Sequence, residues 1–126
     1  MSAITITNVG HNLIRDGLKG ANNPKITYVA LGTSSTAPTV SDTKLGAEAF
    51  RKAVTSYTNG ASVGEVLINL YLSSGDAVGL VIQEVGFYGG NSATSAANSG
   101  ILLAHGQFTH THLATETLQF QLDLIA

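Results

Sequence analysis

Two stretches of this chain alternate so regularly that only an extended backbone puts them to use. Across Gly64–Leu72, Val66, Ile68, Leu70 and Leu72 fall on one side, and Glu65 and Asn69 fall on the other. Across Glu116–Ile125, Leu118, Phe120, Leu122 and Leu124 alternate with Gln119, Gln121 and Asp123. Successive strand side chains point to opposite faces, so each stretch reads as a strand with one buried face and one wet face. Sheets wet on one side are typically antiparallel. These two segments therefore set the fold class before any other residue is read.

The rest of the chain fits between them. Ala3–Thr7 alternates Ile4 and Ile6 with threonines, which suits a short strand. Asn8 is the expected N-cap of a helix whose apolar residues are Val9, Leu13, Ile14 and Leu18, with Gly20 as its left-handed stop. Gly10 and Gly17 each cost such a helix roughly 1 kcal/mol relative to alanine, so it is expected to be short and to need tertiary packing. Lys25–Leu31 is a strand apolar on both sides, with Ile26, Tyr28 and Ala30 on one face and Val29 and Leu31 on the other, and hence central. A polar loop follows over Gly32–Thr43, and one further strand is expected from about Phe50 to Thr58. Asn59-Gly60 reads as a hairpin turn. Val78–Tyr88 is another strand, with Val81, Val85 and Phe87 inward or Leu80, Ile82 and Tyr88 across it. Gly86 within it marks a bulge or a close backbone contact. Gly89–Ser99 is a loop of small residues with no anchoring side chain, so it is expected to be mobile or a contact tip. Ile101–Phe108 completes the set.

The sum is six or seven strands, one short N-terminal helix and regularly spaced turns. The expected fold is mostly β: an antiparallel β-sandwich or jelly-roll-like domain. No linker divides the 126 residues, so one domain spanning 1–126 is expected.

Composition narrows the function classes. There is no cysteine, which rules out disulfides, a thiolate nucleophile and Cys-ligated zinc. The six lysines and arginines all precede residue 53. With Asp16, Asp42 and Glu48 they leave that part at +3, while the five later acids carry −5. Six scattered cations do not make a nucleic-acid footprint, and no nucleic-acid partner is expected. Charged residues make up only 11% of the chain, which suits a surface that partners cover. Met1-Ser2-Ala3-Ile4 lacks the basic flank and apolar run of a secretory leader. No run is long enough to span a membrane, and no membrane partner is expected.

Candidate chemistry is sparse. His110-Thr111-His112 places two imidazoles on one face of an extended segment, where three chains meeting on an axis could ligate a metal. One chain alone supplies too few ligands, so no metal and no other cofactor is expected. Glu84 in an apolar strand is read as an outward or subunit-facing charge paired with Arg51 or Lys52, because no second acid stands beside it to make a catalytic pair. No Gly-x-Ser-x-Gly elbow frames a nucleophile, and the Gly60–Gly64 and Gly86–Gly90 stretches lack phosphate-loop endings. Tyr57, Tyr71 and Tyr88 could stack on sugars, which keeps a carbohydrate-binding module as one alternative. An enzyme is not expected.

Three stretches together resemble the N-terminal module of bacteriophage tail-fibre and tail-collar fibre proteins. They are Ile4-Thr-Ile-Thr-Asn8 running on to Ile26-Thr-Tyr-Val-Ala-Leu-Gly32, then Thr43–Arg51 followed by Val54-Thr55, and finally Gln83-Glu-Val-Gly-Phe-Tyr88 with Gly100-Ile-Leu-Leu-Ala-His105 and Phe108. Their order and approximate spacing match, and they cover nearly the whole chain. The resemblance implies a virion structural protein, commonly oligomeric and often trimeric, that docks parts onto a particle assembled in the host cytoplasm. Partners would be other phage proteins of the tail, collar, baseplate or capsid. Without a long shaft after the module, an adaptor or collar component is the expectation, with a capsid decoration protein as the alternative. Contacts are expected through the N-terminal strand at Ile4 and Ile6. They are expected also through the first long loop at Pro38 and Val40, and through the second at Asn91, Thr94 and Asn98.

Overall fold

The computed structural model describes residues Ile4–Ile125. Eight strands and one helix follow in the order β1 (Ile4–Ile6), α1 (Asn8–Leu18), β2 (Ile26–Gly32), β3 (Glu48–Ala53), β4 (Ser56–Asn59), β5 (Glu65–Leu72), β6 (Val81–Gly89), β7 (Ile101–Thr111) and β8 (Leu118–Ile125). They form two sheets, a five-stranded one in the order β1-β7-β6-β2-β3 and a three-stranded one in the order β4-β5-β8. Every pairing is antiparallel. This is the sandwich-like arrangement that the alternating segments demand. The expected first strand reached back to Ala3, which lies outside the described residues.

The two alternating stretches behave as read. β5 and β8 pair with Ile68 opposite Leu122 and Leu70 opposite Phe120, and all four are buried. They meet Val29 and Leu31 of β2, Val85 and Phe87 of β6 and Leu103 of β7 in one core. Their outer face is polar, where the Asn69 side-chain oxygen accepts from the amide of Gln121 at 3.1 Å.

Four local readings are corrected. The helix is capped by Thr7 rather than Asn8: the Thr7 hydroxyl accepts from the Gly10 N–H at 2.9 Å and donates to the Leu102 carbonyl. Thr7 is fully buried, so one hydroxyl both ends the strand and starts the helix. Gly10 follows because a Cβ there would lie 2.5 Å from the Leu103 carbonyl oxygen. Gly20 (φ +74°) supplies the expected left-handed stop.

The stretch from Phe50 to Thr58 is two strands, not one. The chain leaves β3 at Val54 and Thr55 and crosses between the sheets, with Val54 N–H on the Thr27 carbonyl and Thr55 N–H on the Asn69 carbonyl, both at 2.9 Å. A run of β-formers carries no sign of which sheet each residue joins.

Ile26 does not share a face with Tyr28. A register irregularity between them turns Ile26 into the main core. A second irregularity, between Ile82 and Glu84, resets the phase of β6. Ile82 is therefore buried while Val81 is 44% exposed, which splits both inward sets offered for β6. At this irregularity two β7 residues, Phe108 and Thr109, stand against Gln83 alone, and Glu84 lies on the opposite face from Ile82.

The five-stranded sheet is covered on both sides. Away from the three-stranded sheet, a smaller cluster of Ala30, Leu45, Tyr88 and Leu102 is packed beneath the loop 33–47, with Tyr28 against it. Gly86 lies under this cover, where a Cβ would come within 2.8 Å of the Leu45 side chain and 2.9 Å of Leu102. Close packing, one of the two readings offered for Gly86, is what the site requires.

Candidate functional site

Both long loops fold onto the outer face of the five-stranded sheet, and a charged clamp holds each. Glu84 is the first clamp. Its side chain is 1% exposed and accepts three backbone N–H groups from the loop: Ser34 (3.1 Å) and Ala47 (2.8 Å) at Oε2, and Gly46 (2.9 Å) at Oε1. His105 Nε2 lies 3.1 Å from Oε1, and His105 Nδ1 lies 2.8 Å from Oδ2 of Asp42, in the same loop. Each ring nitrogen thus faces a carboxylate oxygen, and His105 bridges the two acids. The expected outward Glu84 paired with Arg51 or Lys52 is thus corrected. A buried carboxylate with no donors would be costly, and the loop backbone supplies them.

Asp42 also accepts from Thr39, through the backbone N–H (2.8 Å) and the hydroxyl (2.8 Å). Burial alone would raise its carboxyl. The Thr39 N–H, the His105 ring and the Thr39 hydroxyl outweigh burial and hold it below its ordinary value of 3.8. A cavity of about 80 Å³ lies beside the cluster, edged by Ser34, Thr36 and Lys44. No hydroxyl there can be activated by His105, because carboxylates occupy both ring nitrogens.

Arg51 and Glu48 form the second clamp. Their side chains are 3% and 2% exposed and meet in a two-point pair, Nε to Oε2 at 3.0 Å and NH2 to Oε1 at 2.9 Å. The remaining Arg51 nitrogen donates to the Thr94 carbonyl (2.9 Å), the Ser99 carbonyl (2.9 Å) and the Ser99 hydroxyl (2.7 Å). Glu48 Oε1 also accepts from the Asn98 N–H at 3.0 Å. The expectation of a loop without an anchor is corrected: the anchor comes from another strand. The guanidinium also stacks on Tyr88, 4.3 Å from the ring centre.

The expected contact residues divide accordingly. Val40 (55% exposed), Asn91, Thr94 and Asn98 are exposed on the two clamped loops, and Pro38 is half-buried. Ile4 and Ile6 are half-buried on β1, the edge strand beside β7. Tyr88 cannot stack on a sugar: it is fully buried, and its hydroxyl accepts the Leu45 N–H at 3.0 Å. Burial pushes the Tyr88 phenol up. His110 and His112 do not form a pair. His110 lies 2.8 Å from Glu116, whereas His112 is buried past the end of β7 with neither ring nitrogen bonded. Among the described residues, no group of three or more His, Asp or Glu side chains is placed to hold a metal ion.

One feature had no signal in the sequence reading. Between α1 and the open end of the sandwich lies an apolar groove of about 810 Å³. Ile14 and Leu18 of α1 form one wall, Val66 and Leu124 the other, and Ile6 and Leu103 lie between. The residues were legible as apolar, but their failure to close on each other was not. Comparison of the chain with protein-family models, curated proteins and solved structures finds no match.

Proposed function

We propose that this chain is a non-enzymatic structural protein of a bacteriophage virion, an adaptor in the tail, collar or baseplate that docks through its two clamped loops and associates with further copies of itself. The observation that carries the reading is that the charged side chains on the loop-covered face are spent on holding those loops. Glu84, His105, Asp42, Arg51 and Glu48 all have internal partners. What remains exposed on 35–44 and 91–98 is mainly uncharged and small. A rigid, weakly charged surface desolvates cheaply and loses little entropy on association. The resemblance to tail-fibre and collar-fibre modules supplies the particle. Its Gln83–Tyr88 and Gly100–His105 motifs are the paired strands β6 and β7, and they contribute both Glu84 and His105.

Antibody labelling of intact particles by electron microscopy tests this reading. Label on the tail or collar is expected; label spread over the head would replace it with a capsid decoration protein. A loop variant tests the surface. Ala37→Glu combined with Ala97→Glu changes two exposed positions and is expected to leave the melting temperature unchanged while reducing incorporation into particles. Full incorporation would show that the loops are not the docking face.

A further inference from the structure

The groove beside α1 has features that docking through the loops does not use. Leu18 is 87% exposed and Ile14 38% exposed on its helical wall. Its volume of about 810 Å³ lies within the range of pockets that enclose small ligands. The polar groups on its lining are few: His11, Asn23, Lys25 and Tyr57. The Tyr57 hydroxyl is already committed, donating to the Ile26 carbonyl at 2.5 Å. The Lys25 ammonium sits 5.2 Å from the Tyr57 ring centre, and among the described residues it has no carboxylate partner. Among the described residues, no acid lines the groove. The nearest carboxylates in sequence, Glu65 and Asp123, alternate away from Val66 and Leu124 to the outer face. There the two acids share a proton once one of them is protonated, which lowers the Glu65 carboxyl and raises that of Asp123.

An apolar trough edged by one cation that has no carboxylate partner, and by no acid among the described residues, selects an occupant of the inverse pattern. We propose that the groove binds an anionic amphiphile, a carboxylate-headed acyl chain, with the chain lying between α1 and the β5–β8 wall and the carboxylate at Lys25. Burial of the acyl chain supplies affinity, because it covers Ile14 and Leu18 together with its own methylenes. The ammonium supplies direction, since the apolar walls alone cannot tell one end of the chain from the other. This inference stands apart from the virion reading and survives its failure.

Isothermal titration of the full chain with dodecanoate, and separately with dodecyltrimethylammonium, both kept below their micelle concentrations, tests it. Dodecanoate is expected to bind one per chain, and the cationic amphiphile at least about tenfold more weakly. Lys25→Glu, an exposed substitution, is expected to reverse that order. Val66→Phe is expected to abolish binding of both by filling the trough, with circular dichroism confirming that the variant is folded. Equal affinity for the two head groups would overturn the proposal, because it would mean apolar adsorption only. So would binding that persists in folded Val66→Phe, which would put the ligand elsewhere. Absence of binding up to about 1 mM, with groove methyl resonances that broaden as protein concentration rises, would overturn it in favour of a second copy covering the groove.

Discussion

Glu84 and Arg51 perform the same task with opposite charges. The carboxylate gathers N–H donors from the loop 33–47, and the guanidinium gathers carbonyl and hydroxyl oxygens from the loop 90–100. Each is buried, and each has one side-chain partner that is not part of the backbone it holds: His105 for Glu84, and Glu48 for Arg51. The difference lies in what a loss would expose. The three N–H bonds to Glu84 are all part-buried, as are the two from Arg51 to Ser99, whereas the bond from Arg51 to the Thr94 carbonyl is exposed, where water can replace it. A loop can therefore be fixed from a sheet face by either sign of charge, but the acceptor at the centre is the less replaceable of the two.

Breaking the first clamp should show the largest effect. Glu84→Ala orphans three loop N–H groups and leaves His105 facing Asp42 alone. We expect a loss of roughly 3–5 kcal/mol, the usual cost of removing one partner of a buried charged pair. Chemical denaturation measures it, and amide exchange at Ser34, Gly46 and Ala47 should accelerate together. Arg51→Ala should cost less, about 2–4 kcal/mol, because water can satisfy the freed carbonyls. Exchange should then rise at Asn98, whose N–H bonds to Glu48, while Gly46 and Ala47 stay protected. If both variants loosened both loops, the clamps would be one unit and the comparison between them would fail.

Acid gives the smallest and most selective perturbation. Asp42 has a depressed carboxyl in the folded chain, so its contribution is full above the unfolded value near 3.8 and fades as pH falls through the lower folded value. Asp76, held down chiefly by its bond to Lys52, behaves the same way but lies outside the loops. Stability should therefore decline below about pH 4. Asp42→Asn should flatten part of that decline while leaving the Asp76 part. An unchanged acid limb in Asp42→Asn would show that the His105–Asp42 contact contributes nothing to loop retention.

Much of the fold was readable because period-two alternation is a local signal. Val66–Leu72 and Leu118–Leu124 could be assigned to strands without knowing their partners. The clamps were not readable, because each depends on residues far apart in sequence. Glu84 meets Gly46 only after β6 pairs with β2 and brings Gly32 alongside. The sole local hint was a carboxylate inside an apolar strand, and the register irregularity beside Gln83, where β7 carries the extra residue, has no sequence marker. Ile26 was assigned to the wrong face because a single extra residue in β2 reverses a period-two reading, and the open choice of inward set in β6 splits, with Ile82 from one set and Val85 and Phe87 from the other in the core. Thr7 lost the capping role to Asn8 in the sequence reading because both are good caps. Only the Leu102 carbonyl across the sheet decides between them.

The pairing of β1 with β7 sets a schedule for the chain's birth. Ile4 lies opposite Gly106 and Ile6 opposite Ala104, and α1 rests on Leu103 through Gly10. β1 and α1 therefore have no sheet partner until β7 has been made. At roughly 5–20 residues per second, that wait is on the order of 5–20 s. Through it, Ile4, Ile6, Leu13 and Ile14 stay without their native cover. The N-terminal strand and helix can close once β7 is made, and β8, which follows it, then completes the wall opposite the helix.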